Sequence, residues 1–289
     1  MKIKILIPVY NDWQSVFKLL ENINSVVFNL DHEFSVIIVN DASTETKPEL
    51  FVNLEKLNSI KIINMKENRG HARCNATGLK HIFENEEFDY VIPMDGDGED
   101  RPEEIKQLID NLNYHPDKPI VGERIKRSEG IFFKFCYLAH KIITFTFTGE
   151  IIKYGNYSCL PKSTVAKMIN EKATWSSFSG ALAKVAKHRM GVPSERGRRY
   201  FGPSKMSFKN LIIHSLSIIS VFKINVLIRS VLFLAVYLFL IHQNITIIMF
   251  IPIILIFVLI ASVFIVSKRE NLDELKNCLS NIFKIDKIK

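Results

Sequence analysis

FDYVIPMDGDGEDRPEE (residues 88–104) turns from apolar to acidic within a few positions, and residues 94–104 hold six carboxylates in eleven residues. DYVIP reads as a short buried strand, so the acids begin where that strand ends. Like charges this close repel, and something positive must hold them. Three similar apolar runs precede this one: KIKILIPVY, FSVIIVND and IKIINM. The stretches between them are long enough for crossover helices. Four such strands predict an α/β fold with a doubly wound, mostly parallel sheet. Ligands of such sheets bind beyond the carboxyl ends of the strands. Those ends carry Asn11 and Asp12, then Asn40 and Asp41, then Asn68, Arg69 and Gly70, then Asp95 and Asp97. All four are polar and able to hold a ligand.

The acidic run partly matches known cation loops. Asp95, Asp97 and Glu99 fit the first, third and fifth positions of an EF-hand. Asp100 stands where that loop needs Gly and Lys106 where it needs Glu, which excludes it. Arg101 replaces the third Gly of a dinucleotide fingerprint. What remains is a hard divalent cation, Mg²⁺ or Mn²⁺, held by Asp95, Asp97 and Glu99 and bridging to a diphosphate. Pro102, Glu103 and Glu104 read as a helix start.

The 289-residue chain is 47% hydrophobic with a formal net charge of +8. Its four cysteines show no metal or redox spacing, as expected of reduced thiols in a cytosolic setting. MKIKILIPVY has no secretory h-region or cleavage site and reads as a strand. No internal repeat is present, and no nucleic-acid partner is expected.

The last third differs in character. INVLIRSVLFLAVYLFLI (224–241) and ITIIMFIPIILIFVLIASVFIV (245–266) are each long enough to cross a bilayer core of about 30 Å. Arg229 in the first costs roughly 3 kcal/mol on an insertion scale, which more than a dozen apolar residues outweigh; near a helix end it can snorkel. Three residues separate the spans, so they form a hairpin with both outer ends on one side. Lys205, Lys209 and Lys223 precede it, Lys268 and Arg269 follow it, and the turn has no Lys or Arg. The positive-inside rule puts the body and the tail in the cytosol. The expected organisation is a cytosolic domain over 1–205, an interfacial helix over 206–223, two membrane helices over 224–267 and a cytosolic tail over 268–289. That tail has a helical pattern. A homo-oligomer through the second span is one arrangement the sequence allows. IFFKFCYLAHKIITFTFTG (131–149) also reads as amphipathic. Lys134, Tyr137, Lys141, Thr144 and Thr148 line one face, and Ile131, Phe135, Leu138, Ile142 and Phe145 the other. It packs on the domain core or lies in the headgroup layer.

Seven stretches in order, ILIPVYND, VIIVNDAST, ENRGHARCNATGL, YVIPMDGDGEDRPEEI, IVGERIKR, GNYSCLPKSTV and RRYFGPSKMSF, resemble the family 2 glycosyltransferases of the GT-A fold. The resemblance is to the membrane-anchored dolichol-phosphate mannose synthase and polyprenyl-phosphate hexose synthase group, and covers about residues 3–210. It implies a GT-A nucleotide-diphospho-sugar transferase domain followed by a transmembrane hairpin. It implies that Pro8, Tyr10, Asp12, Asp41, Arg69, Gly70 and Asp95 bind the nucleotide. Asp95 and Asp97 would meet the diphosphate and its metal. Arg124, Arg199, Ser204 and Lys205 would meet phosphates of donor or acceptor. The partners implied are a nucleotide-sugar donor, a polyprenyl-phosphate acceptor and the membrane.

One departure bears on mechanism. Close relatives commonly carry an Asp, a candidate catalytic base, where this chain has Asn156. An amide cannot usefully accept a proton. A sugar hydroxyl needs a base to attack, whereas a phosphate monoester is largely ionised at pH 7. Asn156 therefore fits a lipid-phosphate acceptor. A transferase acting on a glycan or glycolipid hydroxyl would need another base, with Glu150 and Glu171 as candidates. An inactive scaffold would have broken Asp95 or Asp97, and both are present.

Overall fold

The computed structural model describes residues 1–49, 53–126, 131–203, 207–243 and 246–289. Strands β1 (Lys2–Val9), β2 (Glu33–Asn40), β3 (Leu57–Met65) and β4 (Tyr90–Pro93) form where the four apolar runs predict them. Helices α1 (Trp13–Val27) and α2 (His71–Asn85) supply two of the crossovers. There follow α3 (Ile105–Leu112), β5 (Ile120–Lys126), α4 (Ile131–Thr148), β6 (Ser158–Pro161), α5 (Lys162–Met168), α6 (Phe178–Val185) and β7 (Met190–Glu195). The last elements are α7 (Phe208–Ser220), α8 (Lys223–Ile241), α9 (Phe250–Ser267), α10 (Leu272–Lys276) and β8 (Ile282–Lys287).

Eight strands make one sheet in the order β7-β5-β6-β4-β1-β2-β3-β8. β4, β1, β2 and β3 run parallel, as do β5 and β7, while β6 and β8 pair antiparallel with their neighbours. The central strands are buried on both faces, which explains their near-continuous apolar composition. Ile3, Ile5 and Ile7 on β1 share a core cluster with Val16, Leu19, Leu20 and Ile23 on α1. That packing fixes where β1 ends, and so where Asp12 emerges.

Contacts divide the chain into two compact units, one of residues 1–128, 153–205 and 271–289, the other of 129–152 and 206–270. These do not follow the linear boundaries expected from the sequence. The segment around α4 joins the apolar helices, and the tail joins the first unit. Nor is the tail a continuous helix. Isoleucines at 282, 285 and 288 mimic a helical spacing, but β3 presents an open sheet edge. β8 pairs with it from Lys61 opposite Lys287 to Met65 opposite Ile282. Backbone partners along an edge override a weak helical pattern. α10 is anchored by Trp175 Nε1, which donates to Glu274 Oε2 at 2.8 Å, and by Leu275, buried beside Ala76 and Trp175.

In the second unit, α8 and the segment containing α9 are long and apolar enough to cross a membrane, with mean hydropathy 2.4 and 3.2. Only 11% of each is buried, unlike the core helix of a soluble domain. On α4 the apolar residues Leu138, Ile142 and Phe145 are exposed while Thr144 and Thr148 are buried. The face that would pack on a soluble core points outward, as suits an apolar surrounding. The side chains of Ile131, Lys134 and Phe135 lie outside the described residues.

Arg229, near the start of α8, has a partner within the protein. Its Nη1 donates to the Thr146 carbonyl at 3.1 Å, and Asn225 Nδ2 donates to that of Thr148 at 3.1 Å. Both carbonyls belong to the last turn of α4, where helical partners run out and the dipole is negative. Gly149 ends that helix at φ +81°, and a Cβ there would lie 2.6 Å from Arg229 Nη2. Glycine takes that backbone without strain, and any larger residue would also displace the guanidinium.

Candidate active site

Three strand ends are stitched together by side chains. After β1, Asn11 (φ 51°) accepts the amides of Thr44 at 2.8 Å and Glu45 at 3.1 Å through Oδ1. After β2, the buried Asp41 accepts Arg69 N at 2.7 Å and Gly70 N at 2.8 Å. Both oxygens of Asp41 thus pin the loop that leads into α2. The Arg69 side chain pairs with Glu67 at 2.5 Å. Pro8 is buried, whereas Tyr10 is 44% exposed just after the end of β1.

The acidic loop after β4 holds its charges against cations from other elements. Asp95 Oδ1 accepts Asn156 Nδ2 at 3.2 Å and lies 3.2 Å from His71 Nε2, with Asn156 Nδ2 only 2.6 Å from that nitrogen. Asp97 Oδ2 pairs with Arg199, whose other nitrogen reaches Asp12 Oδ2 at 2.7 Å. Glu99 pairs with Arg196. Asp100 accepts the Asp95 amide at 2.9 Å and faces Arg124 at 3.6 Å. The cation the sequence calls for is thus in large part arginine and histidine from β5, α2 and the segment after β7. The helix start read at Pro102, Glu103 and Glu104 is present as a 3-10 turn over Pro102–Glu104 leading into α3, with Glu104 making a further contact. Its carboxylate accepts Ser194 Oγ at 2.6 Å and Glu195 N at 2.8 Å, tying α3 to β7, and caps no amide of α3.

Burial opposes the His71 charge, but the Asp95 carboxylate outweighs it and raises the imidazole above its usual value. Burial would likewise raise Asp95, yet His71 first, then Arg124 and Asn156, hold it well below the carboxylate range. Burial and the Asp95 charge push Asp97 up to about 6 and Asp100 up to about 7. Burial and crowding thus disfavour full ionisation of Asp97 and Asp100, and a further positive charge beside them would favour it. That donor set fits a hard divalent cation held by Asp95 and Asp97. Among the described residues no three His, Cys, Asp or Glu side chains are grouped so as to hold a metal ion by themselves. Mg²⁺ typically takes one or two carboxylates and completes its shell with phosphates and water.

The structure links Asp12 and Asp97 through Arg199, sets Asn156 against Asp95 two residues before Asp97, and joins Arg124 to Asp95 through Asp100. Asp41 borders the site by holding Arg69 and Gly70 in place. Glu99, expected at the metal, has its carboxylate taken by Arg196. Ser204 and Lys205 lie outside the described residues. Glu171 caps Ala173 N and pairs with Lys184 at 2.9 Å, and Glu150 belongs to the second unit. Sequence reasoning missed His71. Its signal was a titratable side chain on the first turn of the helix that follows a ligand-bearing strand end.

The sequence profile described as Glycosyl transferase family 2 matches residues 4–178. An undecaprenyl-phosphate 4-deoxy-4-formamido-L-arabinose transferase of Salmonella choleraesuis (strain SC-B67) is 27% identical over 218 residues, which is 73% of this chain. The chain spans 64% of that relative's length. Among solved structures, mannosyl-3-phosphoglycerate synthase from Rubrobacter xylanophilus is similar with a TM-score of 0.56 and 11% identity, over 76% of this chain and 72% of that one. Residues 1–349 of S. aureus TarS, crystallised with UDP-GlcNAc, give a TM-score of 0.53 and 16% identity over 80% and 70%. Glucosyl-3-phosphoglycerate synthase from Mycobacterium tuberculosis, crystallised with Mn²⁺, UDP and glucosyl-3-phosphoglycerate, gives 0.53 and 13% over 78% and 79%. At these identities the likeness is one of fold. Profile, sheet order and neighbours agree: the chain belongs to glycosyl transferase family 2 and has the GT-A fold.

Proposed function

We propose that this chain is a metal-dependent, inverting glycosyltransferase that moves a sugar from a nucleotide-sugar donor to a polyprenyl phosphate at the cytosolic face of a membrane. The observation that carries the choice of acceptor is Asn156. An amide, not a carboxylate, stands against Asp95, and an acceptor already ionised at neutral pH needs no base. The Salmonella relative, whose name gives an undecaprenyl-phosphate acceptor, supports the same reading. So do two exposed apolar helices, and the Lys and Arg flanking them favour the cytosolic orientation.

In this reading the acceptor phosphate oxygen attacks the anomeric carbon. The bond from that carbon to the nucleoside diphosphate breaks, and its electron pair leaves with the diphosphate. A divalent cation held by Asp95 and Asp97, Mg²⁺ or Mn²⁺, would supply positive charge against that leaving group. The chain's own residues do the rest. His71 and Asn156 orient Asp95, Arg124 and Arg199 offer planar forks to phosphate oxygens, and the exposed Tyr10 can stack its ring on a base.

The test is transfer by full-length protein in detergent, with polyprenyl phosphate, Mg²⁺ or Mn²⁺ and a panel of labelled nucleotide sugars, read as label entering the organic phase. Metal-dependent transfer from one donor is expected. Asn156→Asp should lower it about tenfold, because a further carboxylate repels the incoming phosphate. Faster transfer by that variant, or label passing only to a glycan hydroxyl, would overturn the acceptor assignment.

A further inference from the structure

Arg199 is carried to the acidic loop by backbone contacts that do not depend on its charge. Tyr200 N donates to the Asp97 carbonyl at 2.9 Å and Gly197 N to the Glu99 carbonyl at 2.8 Å. The Tyr200 ring lies on Gly98, which sits at φ +87°; a Cβ there would be 2.5 Å from a ring carbon. Asn22 Nδ2 on α1 donates to the Tyr200 hydroxyl oxygen at 2.8 Å. These contacts splint residues 197–200 along 97–99 and set the guanidinium between Asp12 and Asp97.

Two details show that the position is costly to hold. Asp12 is the N-cap of α1, yet its carboxylate makes no capping bond and turns to Arg199 instead. An N-cap side-chain bond that would steady the start of α1 is thus forgone. Arg199 Nε is buried and finds no acceptor among the described residues. The fork therefore has a donor left over, in a place where an anionic oxygen would complete its set.

We propose that Arg199 is an internal competitor for the cation: it occupies Asp97 until a nucleoside diphosphate draws the guanidinium away, so the divalent cation and the diphosphate each bind tightly only in the other's presence. The inference rests on the reading of this site as one for a nucleotide-sugar and a metal. A phosphate group offers Arg199 more oxygens than the two it now shares, including one for Nε. Once the guanidinium turns to phosphate, Asp97 Oδ2 is released. The coupling is reciprocal by linkage, because whatever the diphosphate adds to cation affinity the cation must return to the diphosphate.

The experiment is Mn²⁺ binding to the full chain in detergent, followed by water-proton relaxation enhancement, which reports Mn²⁺ on the slowly tumbling protein. It is run without nucleotide, with UDP and with GDP. For the unaltered chain, Mn²⁺ alone is expected to bind roughly tenfold more weakly than with whichever nucleotide the protein accepts. Arg199→Gln should tighten binding of Mn²⁺ alone at least about fivefold and flatten the coupling. Arg199→Lys, which keeps a charge but not the fork, should fall between them and serves if the glutamine variant does not fold. Equal Mn²⁺ affinity in all three proteins, with Asp97→Asn binding none, would overturn the role of Arg199 and leave the metal site standing. No Mn²⁺ binding by any protein with any nucleotide would overturn the metal reading and this proposal with it.

Discussion

The acidic loop after β4 and the last turn of α4 meet the same problem in opposite ways. In the loop, Asp95, Asp97, Glu99 and Asp100 are each matched to a histidine or arginine from elsewhere in the chain. At α4, one arginine on an apolar helix is matched to a backbone carbonyl, that of Thr146. The first arrangement buries its carboxylates side by side, and burial together with the Asp95 charge raises Asp97 and Asp100. The second has no carboxylate partner to protonate and uses only an unfilled acceptor of a helix end. On the proposed reading, the difference separates a place that would receive a cation from one whose charge already has its partner.

The largest expected effect lies in the loop. Asp97→Asn should cut sugar transfer by roughly 10²- to 10³-fold, the size of losing one group that meets developing charge. The same change should not lower the thermal midpoint at pH 7.5. The sign follows from linkage. Asp97 titrates near 6 when folded, above its ordinary value of 3.8, so its charge destabilises the fold at any pH above about 6 and not below about 3.8. A variant that melts well below the parent with activity intact would make Asp97 a structural residue and erase the contrast.

The opposite pH dependence is expected at the other end of β1. There Lys4 reaches Glu86 at 3.0 Å and Lys61 reaches it at 2.5 Å. Burial pushes Glu86 up, but hydrogen bonds from Lys61 and Lys4 win and hold it below its ordinary value of 4.5. Its contribution is thus full above about 4.5 and is lost as the pH falls through the folded value. Glu86→Gln leaves Lys4 buried without its carboxylate and should cost about 3 kcal/mol at pH 7. Chemical denaturation of parent and variant between pH 7 and pH 3.5 should show the gap closing on acidification. A gap that stays constant would mean that the loss is one of packing, not charge.

Much of this was legible in the sequence. Four apolar runs gave four parallel strands, and the polar residues at their ends gave Asp12, Asp41, Asp95 and Asp97, because strand burial and strand termination are local signals. The partners of the charges were not legible. Arg199 meets Asp12 across 187 positions and Asp97 across 102, and no local pattern reports a contact of that span. His71 was hidden because a single imidazole carries no periodicity. The inverted face of α4 was hidden because the stripe gives the helix's two sides but not which one is covered. The tail strand was hidden because β3's open edge is a property of the sheet.

Arg229 gives the smallest effect and the sharpest contrast. Replacing it with Leu removes a charge from an apolar helix, which on an insertion scale favours the helix by roughly 3 kcal/mol. If the side chain only snorkelled, that gain would be the whole effect and α4 would not notice. In the structure, the Thr146 carbonyl loses its donor, and the negative end of α4 loses a positive charge, worth about 1 kcal/mol at a helix terminus. Amide hydrogen exchange should then speed up about fivefold around Phe145 and Gly149, whose bond closes the helix, while exchange within α8 slows or holds. Gly149→Ala should produce the same local loss by a different route, since its Cβ would push Arg229 off the Thr146 carbonyl. Two substitutions on different helices with one exchange signature would show that the arginine is bound where it lies. Unchanged exchange at 145–149 in Arg229→Leu would return it to the lipid-facing role its sequence position first suggests.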